Sequence, residues 1–183
     1  SVLFLTARQS QHRIAIETLR RLEARGARIP AVDVIAKQDM CLQPNRPEYG
    51  RAFHEFCELK VRTRTCSFFN RDDSVVVAAV LQRALHVQEV VRASSACRVC
   101  PHKVAMDTAE QARVVVCDYN YVFSDILPWT LERLGKGLED IVLVVDEAHN
   151  LPDRIRHHLG GELSLTDVFR SIKEARDIEP ESA

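Results

Sequence analysis

The apolar residues of this chain gather into short runs separated by longer amphipathic stretches. Val2-Leu3-Phe4-Leu5-Thr6, Ala31-Val32-Asp33-Val34-Ile35-Ala36, Arg113-Val114-Val115-Val116-Cys117-Asp118 and Ile141-Val142-Leu143-Val144-Val145 each read as a strand. The last holds five consecutive apolar residues, which predicts a strand buried on both faces. Between the first two runs, Ile14, Ala15, Leu19 and Leu22 recur at helical spacing, with Ser10 placed to cap the helix and Gly26 to end it. Strand, helix and strand in that order open a parallel α/β sheet.

The rhythm breaks between residues 38 and 106, where no strand is evident and two or three helices are expected. Pro44, Pro47 and Gly50 mark a loop, residues 51–60 a short helix, and residues 74–93 a longer one whose valines are poor helix formers. After the third strand a helix is expected from Tyr121, and residues 151–159 and 165–175 read as exposed helices.

With 46% hydrophobic and 28% charged residues over 183 positions, the chain is globular in composition, long enough for one domain with an insert. No apolar stretch approaches the roughly 18 residues that span a bilayer, and no secretory signal is visible, so an intracellular protein with no membrane partner is expected. The net charge of −1 carries no nucleic-acid signature. Locally it is uneven: residues 41–103 hold ten Lys or Arg against six Asp or Glu, a net +4 that leaves −5 elsewhere. A modestly basic insert suits a phosphate-facing surface.

Of six cysteines, five lie between positions 41 and 100. In a reducing compartment such a cluster reads as metal-binding or catalytic before it reads as disulfides. Cys41, Cys57, Cys66 and Cys100 form a widely spaced set, and only Cys97 and Cys100 have the Cys-x-x-Cys spacing of a zinc knuckle. Thiolates on separate segments suit the corners of a [4Fe–4S] cubane slightly better than zinc, so spacing alone leaves both metals open. Cys117, inside a strand, reads as a small core residue.

Asp146-Glu147-Ala148-His149 follows the last strand directly, where an α/β sheet places its ligand crevice. In nucleoside triphosphatases the first acid at such a strand end holds Mg²⁺ and a neighbour positions the attacking water. No Gly-x-x-x-x-Gly-Lys-Ser/Thr phosphate loop occurs in the sequence, so the chain is expected to be a piece of a longer enzyme, inactive alone towards ATP.

These features together resemble the XPD-type iron–sulfur helicases of superfamily 2, which include XPD and its archaeal counterparts and the FANCJ, ChlR and DinG branches. The likeness covers roughly residues 1–160: Leu5-Thr6-Ala7-Arg8-Gln9-Ser10-Gln11 is similar to motif Ia, Met40-Cys41-Leu42 to the segment of the first cluster ligand, Cys57 to the second, Cys66 with Phe68-Phe69 to the third, Cys100-Pro101 to the fourth, and Asp146 to His149 to the DEAH box. The spacing of Cys41, Cys57 and Cys66 is nearer the XPD than the DinG branch. His102 stands where an aromatic often follows Cys-Pro, and Cys97 is an additional thiol that competes with Cys100 for the fourth place.

The resemblance implies a RecA-like motor domain with a mainly α-helical cluster insert. Residues 1–38 and 107–160 would form the motor part, 39–106 the insert, and 161–183 the start of an arch insertion. It implies a [4Fe–4S] cluster on Cys41, Cys57, Cys66 and Cys100, with Asp146 on Mg²⁺-ATP, Glu147 as the base for water, and His149 as the γ-phosphate sensor. Thr6, Arg8, Gln11, Arg62, Arg64, Phe68, Phe69, Arg98, Tyr119 and Tyr121 would bind DNA, although Ser10 is equally suited to cap a helix, the phenylalanines to shield a cluster and the tyrosines to pack the sheet. It further implies 5′ to 3′ movement on single-stranded DNA, forked duplex and ATP as partners with repair-complex proteins beside them, and a nucleoid or nuclear location according to source. The rival expectation is a zinc-binding nucleic-acid module without motor activity.

Overall fold

The computed structural model describes residues 1–48, 50–160, 168–169 and 171–174. The expected arch segment at 161–183 therefore lies almost entirely outside the described residues. Four parallel strands, β1 (Val2–Thr6), β2 (Ala31–Val34), β3 (Val114–Asp118) and β4 (Val142–Val145), form a sheet in the order β2-β3-β1-β4. The register pairs Thr6 with Asp118 and Leu5 with both Cys117 and Val145, so the strands end together at their carboxyl edge.

Side chains alternate between the two faces, as strand geometry requires. Leu3, Leu5, Val32, Val34, Val115 and Cys117 point into the larger core, and Phe4, Ala31, Val114 and Val116 into the smaller one. Helix α1 (Gln9–Glu23) covers the smaller face with His12, Ala15, Ile16 and Leu19. That stripe is rotated from the expected one: Ile14 and Leu22 are exposed, and a histidine takes the inward position. The reason is Asp33, a carboxylate buried in β2, which Nδ1 of His12 meets at 2.5 Å. Ser10 does not cap α1 either; the helix starts at Gln9, with Arg8 as its N-cap.

The insert region contributes five helices, of which all but the second place buried residues in the core on the larger face. These are α2 (Lys37–Met40), α3 (Gly50–Arg62), α4 (Ser74–Val80), α5 (Val87–Cys97) and α6 (Pro101–Gln111). The long helix expected over 74–93 is two helices, because Leu85 between them leaves the helical path to bridge Val32 of β2. Helix α6 runs across the expected boundary at residue 106 and packs on β2, so insert and sheet share one core. After β3 the chain makes a 3₁₀ turn at Tyr119–Tyr121, and α7 (Leu127–Leu134) starts six residues later than expected. Helix α8 (Leu151–Leu159) comes after the acidic box, as expected. No helix among the described residues is long and apolar enough to cross a membrane.

Asp33 joins these layers. Besides His12 it accepts the Val87 N–H at 2.9 Å at the start of α5, and Arg20 of α1 pairs with Glu89 of α5. Burial pushes the His12 imidazole down, but Asp118 and Asp33 outweigh it and raise it to about 9. Nε2 lies 3.5 Å from Asp118 Oδ1, too long for a good hydrogen bond, so Asp118 acts on the ring mainly as a charge. A folded-state value above the ordinary one stabilises the fold fully below about pH 6.5, and the contribution fades as pH rises through about 9. The urea midpoint should therefore fall between these pH values more steeply in the wild type than in His12→Asn. Parallel pH profiles would refute the charged pair.

Candidate active site and metal centre

The acidic box sits at the carboxyl edge of β4. The Asp146 N–H continues the ladder to the Leu5 carbonyl at 2.9 Å, and the chain then turns sharply at Glu147, whose φ of 50° is left-handed. For a residue with a Cβ that conformation is uncommon and must be held by its surroundings. Three donors hold it here: the Glu147 carbonyl accepts the Asn150 N–H at 2.9 Å, the Asn150 side-chain amide at 3.2 Å and the Tyr119 hydroxyl at 3.0 Å. The Tyr119 hydroxyl also donates to the Asp146 carbonyl. Burial and the Asp146 and Glu147 charges push the phenol up, which keeps it a donor.

Glu147 and His149 are thereby presented beyond the strand end, while Asp146 lines a cleft on the α1 side of the sheet with Phe4, Gln11 and Ile14. His149 Nδ1 lies 3.1 Å from Glu147 Oε2, and both side chains are accessible, at 72% and 48%. Acids at the end of such a strand are the residue type that holds a divalent cation and orients a water in nucleoside triphosphatases. One expectation needs correcting: β4 is not buried on both faces, since Val142 is 61% exposed and Leu143 and Val144 about 40%. Among the described residues β4 is an edge strand.

Four of the expected DNA contacts fare differently from the rest. Thr6 is fully buried, and its hydroxyl donates to the Arg8 carbonyl at 3.1 Å, so it shapes the turn beside the cleft at the carboxyl edge of the sheet. Tyr119 and Tyr121 are buried as well, the first clamping the acidic box and the second donating to the Ile35 carbonyl at 3.0 Å. In this structure the three hydroxyls support the chain around the crevice. Gln11 spends its side-chain oxygen on the Arg8 N–H at 3.1 Å and remains half-buried. Arg8, Arg62, Arg64 and Arg98 are exposed, and Arg64 and Arg98 sit at left-handed turns.

The insert brings Cys41, Cys57, Cys66 and Cys100 to the lining of a single cavity. They arrive from four places: the end of α2, the middle of α3, the loop after it and the N-cap of α6. Cys97 is exposed and outside the lining, turned away by the left-handed Arg98 that ends α5, and Cys117 is buried in β3. Phe53, Phe56, Phe68 and Phe69 wall the cavity, and Lys37 and Lys60 stand at it, each ammonium above a ring at 6.0 and 5.4 Å. Burial pushes the Cys41 and Cys100 thiols up. Burial acts on Cys66 too, but the Phe68 N–H, the Gln43 amide at 3.3 Å, the Phe69 N–H and the Lys60 charge overcome it and hold that thiol low.

His102, after the Cys100-Pro101 pair, is buried and stacks on Trp129 with ring centroids 6.3 Å apart. Burial, with Lys37 and Arg133 nearby, drives it down to about 3, so it is neutral and does the work of an apolar ring. Sequence reading missed Phe53, Phe56, Lys60 and Gln43 at this site. Phe53, Phe56, Cys57 and Lys60 share one face of α3 at helical spacing, and that signal was available. Gln43, in a loop, gave none.

A sequence model of the DEAD_2 family matches residues 4–168. The regulator of telomere elongation helicase 1 homolog of Aedes aegypti is 23% identical over 150 residues, covering 78% of this chain and 14% of its own length. The ATP-dependent DNA helicase CHL1 of Kluyveromyces lactis is 22% identical over 147 residues, covering 77% of this chain and 18% of its own. The chain thus spans less than a fifth of either relative. Among solved structures, a truncated XPD aligns over 86% of this chain and 42% of its own with a TM-score of 0.55 and 20% identity. That likeness and the parallel sheet flanked by helices give the fold as RecA-like.

Proposed function

The chain belongs to the DEAD_2 family, and we propose that it forms the part of an ATP-dependent DNA helicase's first motor domain that carries the acidic box and an iron–sulfur insert. One observation carries the reading: Cys41, Cys57, Cys66 and Cys100, the set named from the resemblance, line one cavity together, and the fifth insert thiol does not.

The donor set suits a cubane, because the four thiols reach the cavity from four separate segments. A cubane asks each thiolate to meet a different iron, and N–H···S bonds like those at Cys66 are a known means of tuning such clusters. The side chains leave about 20 Å³ between them, near the room one water takes, so the thiols must turn outward to admit a cluster. Bound there, a [4Fe–4S] group would supply a cross-link among four segments that the short insert helices lack on their own.

Asp146 would hold the Mg²⁺ of ATP, and Glu147 would take the proton of the attacking water. His149, 3.1 Å from Glu147, would report on the same phosphates. Residues 39–106 would serve as the insert beside the DNA path, with Arg62, Arg64 and Arg98 on phosphates. Phe68 and Phe69 line the cysteine cavity yet stay half-exposed, so each can shield the metal and still offer ring surface to a base. Phe68→Ala or Phe69→Ala should cost about 1–3 kcal/mol of single-strand binding, roughly five- to a hundred-fold. Unchanged affinity at unchanged iron content would leave the rings a shielding role only.

The test of the function is strand separation by a polypeptide that joins this chain to a phosphate loop and a second motor domain. It should open a fork from a 5′ tail, with ATP turnover stimulated by single-stranded DNA. Equal unwinding from 3′ tails would overturn the polarity, and DNA-independent turnover would overturn the helicase.

A further inference from the structure

Gln43 touches two of the four thiols in the cysteine cavity. Its backbone N–H donates to Cys41, and its side-chain Nε2 lies 3.3 Å from Cys66 Sγ. Among the described residues this is the only hydrogen bond from a side chain to a cysteine sulfur. Pro44 follows directly, and a residue before proline is confined to extended backbone, which fixes the direction from which Gln43 approaches. An amide is a costly choice for this place. Apart from the cysteines, Gln43 and two lysines, every residue that lines the cavity is apolar. The lysines are only half-buried and can keep their ammonium groups towards water at the end of a long stem, whereas Gln43 is buried. A buried amide costs free energy unless it is well hydrogen-bonded. A protonated thiol is a weak acceptor, but a thiolate accepts a charge-assisted bond that is roughly twice as strong as a neutral one. The Gln43 amide is therefore matched to Cys66 when that sulfur is ionised, as a metal ligand must be.

We propose that Gln43 is a positioning residue for the metal centre: it holds the sulfurs of Cys41 and Cys66 as a pair and, by donating its side-chain amide to Cys66, raises the reduction potential of the cluster. The assignment rests on the iron–sulfur reading above and deepens it. A donor to a ligating sulfur draws negative charge from it, and so favours the reduced cluster, which carries one more electron. The Phe68 and Phe69 N–H groups act on Cys66 in the same sense, but they belong to the backbone and stay whatever the side chains are. The Gln43 amide is the part of this donor set that a substitution can remove. It also ties the end of α2 to the loop after α3, two of the segments that must meet before a cluster can be held.

The test is voltammetry and resonance Raman spectroscopy of the chain purified without oxygen. Gln43→Met, similar in length and without a donor, should keep the wild-type iron content. It should lower the equilibrium constant for one-electron reduction roughly three- to tenfold, the worth of one hydrogen bond. That change is about 30–60 mV. The iron–thiolate stretching band should move to higher frequency, because a sulfur relieved of its N–H binds iron more strongly. Leu42→Met, a change in the same cavity wall that removes no donor, should alter neither quantity. Should Gln43→Met lose its iron, Gln43→Asn takes its place, since an amide one methylene shorter falls short of the sulfur; it should show the same two shifts. A wild-type potential and an unmoved band in a Gln43 variant that keeps its iron would overturn the proposal and leave Gln43 as filling in the wall. A wild type that carries zinc, or no metal, would remove the iron–sulfur reading and this assignment with it.

Discussion

Glu147→Gln is expected to cut ATP turnover by roughly 10²–10⁴-fold, the contribution of a positioned general base, in a polypeptide that supplies the phosphate loop this sequence does not contain. The substitution is clean for a structural reason. The left-handed turn at Glu147 is held through its backbone carbonyl by Asn150 and Tyr119, and its side chain is about half exposed. An amide of the same shape therefore removes the base and leaves the turn. Nucleotide affinity should stay near wild type, while Asp146→Asn should lose the Mg²⁺-dependent part of binding. Turnover that survives in Glu147→Gln would show that the acidic box is not the catalytic one.

Cys41→Ser, Cys57→Ser, Cys66→Ser and Cys100→Ser should each lose most of the iron, and with it the brown colour of the anaerobic protein. Cys97→Ser should keep both, because that thiol is exposed outside the cavity. Cys117→Ser should keep its iron too, although a hydroxyl in the core at β3 will lower stability. The contrast between Cys97 and Cys100, three residues apart, is the sharpest part of the series. Iron lost from Cys97→Ser and kept by Cys100→Ser would reverse the assignment of the fourth ligand.

The strands were legible because buried β-branched runs such as Val114-Val115-Val116 have few other uses, and the parallel order followed from the alternation with helices. What failed depended on partners distant in sequence. Hydrophobicity alone turns Ile14 inward on α1, but the carboxylate of Asp33, twenty-one residues on, needs His12 there. Residues 74–93 read as one helix until Leu85 is claimed by β2. The exposure of β4 was invisible because a run of valines reports what a strand is made of and not whether a neighbour covers it. At the site, spacing marked Cys41, Cys57 and Cys66 and left Cys97 and Cys100 competing for the fourth place; only Cys100 lines the cavity, with Cys97 exposed before the left-handed turn at Arg98. That the hydroxyls of Thr6, Tyr119 and Tyr121 hold the chain around the crevice was not legible, since polar residues at strand ends look alike in sequence whether they face a ligand or hold the turn that does.

The central claim, a motor-domain sheet carrying an iron–sulfur insert, is tested most directly by metal analysis of the chain purified without oxygen. The account requires about four irons per chain and no zinc, with an iron–sulfur absorption spectrum that bleaches on exposure to air. One zinc per chain with no iron would contradict it.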